Sequence, residues 1–175
     1  MADPEALFAA NQKRLFGYFC RAVGQPDVAR DLTQEVFLRV TRTSIPAAPD
    51  GEVTAWLFRI ARNLALDHHR RRVRQPEPSA LVDEPTRSAS QEINLAVNEA
   101  LASLPALDRD VFLMREVAGL GYDAIAGACE LTPDAVRSRI HRTRLQLRDR
   151  LAAPIATSRT MATGRAAHRY ERIDR

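Results

Sequence analysis

Cysteine is nearly absent from this chain: Cys20 and Cys129 stand alone, with no second cysteine near either. That spacing excludes a disulfide framework and the paired ligands of a structural zinc site, and leaves two reduced, buried thiols. Lysine is scarcer still, because Lys13 is the only one among 26 basic side chains. There is no run of some 18 apolar residues and no charged start leading into an apolar stretch, so neither a membrane span nor an export signal is expected. Histidine is sparse as well. His68 and His69 are adjacent and point about 100° apart on a helix, and neither these nor His141 and His168 keep company with an acidic cluster. No metal, cofactor or catalytic residue is expected, and a small metal-dependent nuclease is a poor reading.

Arginine and helical periodicity are abundant. The 175 residues carry 26 basic against 22 acidic side chains, a net charge of +4, distributed in blocks. Arg70, Arg71, Arg72 and Arg74 form one cluster, and a second basic block runs from Arg137 to Arg150. Between Pro76 and Ala100 the only base is Arg87, against Glu77, Asp83, Glu84, Glu92 and Glu99. Two basic blocks flanking an acidic connector suit two nucleic-acid-binding units.

The periodicity is α-helical almost throughout. A helix from about Glu5 to Val23 places Leu7, Phe8, Leu15, Phe16, Phe19 and Val23 on one broad face, and Gly24-Gln25-Pro26 ends it. Val28, Leu32, Val36 and Val40 then repeat every four residues. Their opposite face carries Asp31, Gln34, Glu35, Leu38 and Arg39. Residues 43–52 are loop chemistry, and a third helix from about Val53 to Arg72 sets Trp56, Ile60 and Leu64 in register. The proline- and serine-rich stretch 76–90 reads as a linker. A second helical unit follows, with one helix closed by Pro105 and another over Asp108 to Val117. The expectation is an all-α chain of two small domains: 1–75, a linker 76–90, 91–152, and a disordered tail 153–175.

The stretch Leu120 to Arg150 holds the strongest motif. Tyr122, Ile125, Ala126 and Cys129 form a short helix with a small-residue face, and Leu131 fills the turn. Thr132 can cap the next helix, Pro133 suits its first position, and Asp134 complements its dipole. Val136, Ile140, Thr143 and Leu147 then share a buried stripe, which leaves Arg137, Ser138, His141, Arg142 and Arg144 largely on other faces. A capped helix with cations and hydrogen-bonding groups near its start, set after a short helix and a tight turn, has the layout of a helix-turn-helix DNA reader.

Three blocks in order resemble the extracytoplasmic-function class of bacterial sigma factors. Asp31 to Arg42, DLTQEVFLRVTR, is similar to region 2.2; Ala55 to Arg72, AWLFRIARNLALDHHRRR, to regions 2.3 and 2.4; and Ser103 to Leu151 to region 4. The resemblance implies a cytoplasmic, non-enzymatic initiation factor whose partners are core RNA polymerase, promoter DNA and an anti-sigma factor. The face Asp31, Gln34, Glu35, Leu38 and Arg39 would meet the β′ clamp helices, and the polymerase β flap would be a further contact. Phe58, Arg59, Arg62, Asn63, Asp67, His68, Arg70, Arg71 and Arg72 would meet the −10 element, helped by the loop from about Ser44 to Val53, which lacks an aromatic. Thr132, Arg137, Ser138, Arg139, His141 and Arg142 would meet the −35 element. Where the family often has a Cys-Pro-X-Gly-Thr turn, this chain has Leu131-Thr132-Pro133-Asp134-Ala135, a departure that bears on promoter preference. The rival within DNA binding is a dimeric helix-turn-helix regulator, but no dimerisation or effector element accompanies the motif.

Overall fold

The computed structural model describes residues 3–74 and 89–164, and every regular element among them is a helix. Local chemistry sets the first boundaries. Asp3 accepts a hydrogen bond from the Glu5 backbone N–H at 3.0 Å, Pro4 opens the helix, and α1 runs Pro4–Val23. It ends at Gly24, whose φ of 76° is a left-handed cap that lets its N–H bond the Cys20 carbonyl. Helix α2 spans Pro26–Arg42 and α3 spans Asp50–Arg74. Expected loop residues Asp50 to Glu52 are thus already helical, because Pro49 supplies carbonyl oxygen to the N–H groups of Glu52 and Val53.

The second unit comprises α4 (Ala89–Ala102), α5 (Ala106–Glu116), α6 (Tyr122–Cys129) and α7 (Pro133–Gly164). Helix α4 begins inside the stretch expected as linker; residues 75–88 lie outside the described residues. Helix α7 continues well past Leu151, so the tail expected to be disordered is helical as far as Gly164, and 165–175 lie outside the described residues.

The buried side chains form one continuous core that crosses from the first unit to the second. Leu15, Tyr18 and Phe19 from α1 and Leu57, Phe58 and Leu64 from α3 join Val111, Leu113 and Met114 from α5 and Ile125, Val136 and Ile140 beyond. The stripes in α2 and α7 are as the periodicity predicts: Leu32, Val36 and Val40 are buried, as are Val136, Ile140, Thr143 and Leu147. The α3 face differs. Val53, Leu57, Ala61 and Leu64 point inward with Phe58 and Ala65, whereas Trp56 and Ile60 are only partly buried. The reason is α6, which packs closely along α3: a Cβ on Gly127 would lie 3.1 Å from that of Ala55. Small residues at that crossing turn the helix so that its aromatic Trp56 sits at the margin.

Candidate nucleic-acid and polymerase interfaces

The turn between α6 and α7 is built from two unusual local choices. Glu130 ends α6 in the left-handed region, φ 57°, with its N–H bonded to the Ala126 carbonyl. It is the one described non-glycine residue with positive φ. Two residues on, Thr132 Oγ1 accepts from the Ala135 N–H at 3.2 Å, the cap that the sequence predicts. Ala126 is buried where α6 meets α7, so the two helices can approach closely.

That geometry presents Thr132, Arg137, Ser138, His141 and Arg142 on the exposed side of α7. The Arg137 guanidinium lies 5.2 Å from the ring centre of Tyr122, whose other neighbour, Arg115, lies at 4.7 Å. Arg115 in turn donates to the Leu120 carbonyl at 2.8 Å, and Arg137 bonds Asp134 at 2.6 Å. Tyr122 therefore sits between two guanidiniums, one tied to the scaffold and one aimed outward. Arg139 turns the other way. It is paired with Asp108 of α5, and its side chain is mostly buried. Its expected place among the DNA contacts is corrected: it fastens α7 to α5, because the turn of the helix that exposes Ser138 carries residue 139 inward.

On α2, Asp31, Gln34 and Arg39 are exposed, Glu35 is half-buried and paired with Arg39 at 3.0 Å, and Leu38 stands 49% exposed among them. An apolar side chain so placed on a charged face is what a protein interface puts at its centre.

Helix α3 carries the remaining expected contacts, and they divide. Asn63, Asp67, Arg70, Arg71 and Arg72 are exposed, Arg70 lying 3.6 Å from Asp67. His68 is half-buried, with Nε2 enclosed and unpartnered, and burial followed by the nearby Arg72 and Arg71 charges pushes its pKa down. Phe58 is fully buried, its ring edge-on to Tyr18 at 6.0 Å. Phe58 is therefore corrected from a base-stacking side chain to a core one. Arg59 and Arg62 reach the second unit: Arg59 donates to the Gly127 carbonyl at 2.7 Å, and Arg62 Nε lies 3.1 Å from Asp110 Oδ2. The other oxygen of Asp110 accepts from the Tyr18 hydroxyl at 3.1 Å. Burial holds the Asp110 carboxyl above its ordinary range against the opposing pull of Arg62 and Arg109, and it raises the Tyr18 phenol further still.

Comparison with known proteins accounts for both units. Residues 7–75 match the family model for sigma-70 region 2, and residues 94–147 match sigma-70 region 4. The RNA polymerase sigma-H factor of Pseudomonas aeruginosa is 30% identical over 80% of this chain and 81% of its own length. The chain belongs to the extracytoplasmic-function class of the sigma-70 family. The ECF RNA polymerase sigma factor SigE of Mycolicibacterium smegmatis is 35% identical over 87% of this chain, which spans 63% of that relative. Among solved structures, CnrH in complex with the cytosolic domain of CnrY superposes with a TM-score of 0.66 and 26% identity, over 86% of this chain and 88% of CnrH. The sigma factor RpoE bound to the anti-sigma factor NepR from Bartonella quintana shares the fold, at TM-score 0.63 and 21% identity over 85% and 96% of the two chains.

Seen as a sigma factor, the molecule has two features that its sequence pattern did not expose. Tyr18 and Asp110, both buried and polar, join regions 2 and 4; the signal for Asp110 was there, since its place between Leu107, Val111 and Met114 puts a carboxylate on the core side of α5. The second is Trp56. It lines a notch of about 460 Å³ with Pro46, Glu52 and Arg59 of region 2 and Asp123 and Gly127 of region 4.

No helix among the described residues is long and apolar enough to cross a membrane, and none of their His, Cys, Asp and Glu side chains gather in threes as a metal would need.

Proposed function

We propose that this sigma factor binds core RNA polymerase through the Asp31–Arg39 face of α2 and directs promoter-specific initiation in the cytoplasm, without a catalytic step of its own. Region 4 would anchor at the −35 element through Thr132, Arg137, Ser138, His141 and Arg142. Arginine can bond guanine O6 and N7 together or grip phosphate, and the capped N-terminus of α7 favours a nearby phosphate. Region 2 would meet the −10 element through Arg59, Arg62, Asn63, Asp67, His68 and the exposed Arg70–Arg72 cluster, with Trp56 as the aromatic surface for an exposed base. The observation that carries the reading is the pairing, in one chain of this family, of an exposed helix-turn-helix with a charged α2 face centred on Leu38. A helix-turn-helix regulator acting without polymerase leaves that α2 face unexplained. An anti-sigma partner is proposed as well; the complexes of CnrH with CnrY and of RpoE with NepR support it.

Run-off transcription with core polymerase and genomic promoter fragments tests this. Initiation above core alone is expected, and its absence would overturn the reading. Leu38→Glu should weaken core binding by at least about tenfold, equivalent to some 1.4 kcal/mol, while the circular dichroism spectrum stays unchanged. Arg137→Ala with Arg142→Ala should keep core binding and lose −35-dependent initiation.

A further inference from the structure

Three guanidiniums and an imidazole line a cavity of about 440 Å³ where α1, α3, α4 and α5 come together. Arg21 comes from α1, His69 and Arg72 from α3, and Arg109 from α5, so tertiary packing and not one basic helix gathers them. Arg21 is held by neutral groups: its guanidinium donates to Asn98 Oδ1 at 3.0 Å and to Asn94 Oδ1 at 3.3 Å, which orient the charge without cancelling it. Glu99 is the one carboxylate on the wall. Among the described residues, neither it nor Arg72 nor Arg109 forms an ion pair. Asp110, beside Arg109 in sequence, is already committed, because its two oxygens accept from Tyr18 and Arg62. Arg109 Nε is enclosed and has no acceptor, a state that costs a charged donor more than a neutral one. The contrast with the other partly enclosed guanidiniums is clear: Arg62 is matched to Asp110 and Arg139 to Asp108.

We propose that this cavity binds a short phosphate chain, carried on a nucleoside di- or triphosphate. Unpaired cations around a concave surface focus the potential and draw anions to it. Guanidiniums take phosphate oxygens two at a time, and three of them from three helices suit a ligand with several phosphates better than one with a single group. The volume is that of a small-molecule site, and Val23 and Val73 offer an apolar wall to the nucleoside. Arg21, His69 and Arg109 belong to neither the promoter nor the polymerase surface described above, and Arg72 is the one side chain shared. The inference does not depend on the promoter reading.

Calorimetric titration of the full chain, in EDTA-containing buffer near physiological salt, tests this with ATP, tripolyphosphate and adenosine as probes. ATP should bind with a dissociation constant of about 0.1 mM or tighter, and adenosine should not bind. Tripolyphosphate that binds as tightly as ATP supports the site and makes the bare chain its ligand. Arg109→Gln should weaken ATP binding about tenfold, and so should Arg21→Gln. If one of these variants loses its helical circular dichroism spectrum, the other decides. Arg148→Gln removes the same charge from an exposed part of α7 and should leave ATP binding unchanged. No ATP binding at about 1 mM overturns the proposal. An equal loss in Arg148→Gln overturns it too, since that is diffuse attraction between ions. Weakened promoter-duplex binding in Arg109→Gln with ATP binding unchanged would make the cavity a seat for DNA phosphate, and overturns it as well.

Discussion

Thr132 and Cys129 stand three residues apart and illustrate two kinds of side-chain role. Thr132 was legible from sequence because capping is a local reaction: a hydroxyl one residue before proline at a helix start has few other uses. The environment of Cys129 was not, since it depends on which distant helices close over it. Its thiol is buried, 3.8 Å from the Met114 sulfur, and burial pushes its pKa up to about 11. A thiol raised in this way stays protonated as pH climbs through the ordinary thiol range, and roughly one part in a thousand is thiolate at pH 8. Cys20 is also raised by burial, but its side chain is only partly enclosed. Iodoacetamide at pH 8 should therefore modify Cys20 well before Cys129, with mass spectrometry following each site. Equal rates would contradict the burial of Cys129.

Among the helices, α2 and α7 could be read from spacing because each has one apolar stripe and one polar face. Helix α3 could not, because it is contacted from more than one side: α1 and α2 cover part of it and α6 another part, so Phe58 and Ala65 are buried along with the main stripe. A periodicity of 3.6 residues identifies a single dominant face, and it misassigned Trp56 for that reason. Helix α6 shows the opposite limit, where one backbone angle decides an element's end. Glu130 occupies the left-handed region, which costs an ordinary residue about 1 kcal/mol and a β-branched one more. Glu130→Val should lower the midpoint of thermal unfolding by several degrees, on the order of 1–2 kcal/mol, and Glu130→Gly should not. Calorimetry of the two variants checks this. An equal loss in both would place the cause in the glutamate side chain.

For the whole molecule, the sequence pattern predicts two domains and the structure joins them through one core. Composition reveals a linker because proline and serine disfavour helix, but it says nothing about how two apolar units then meet. That meeting depends on Gly17, Gly127 and Ala55, where what matters is the absence of bulk. A shared core predicts shared unfolding. Urea denaturation followed by fluorescence of Trp56, which reports α3 and its junction with α6, should coincide with the helical circular dichroism signal from both regions. Two separated transitions would show regions that are stable independently. The bare Cα of Gly127 has a consequence for genetics too. If no side chain is tolerated there without prising the halves apart, alleles that alter how the two regions pack should arise on the α3-facing surface of α6, away from the side chains proposed for the promoter. A screen for variants with loosened packing, read as lowered thermal stability, would then recover bulky replacements at residue 127 more readily than changes among the exposed arginines of α7.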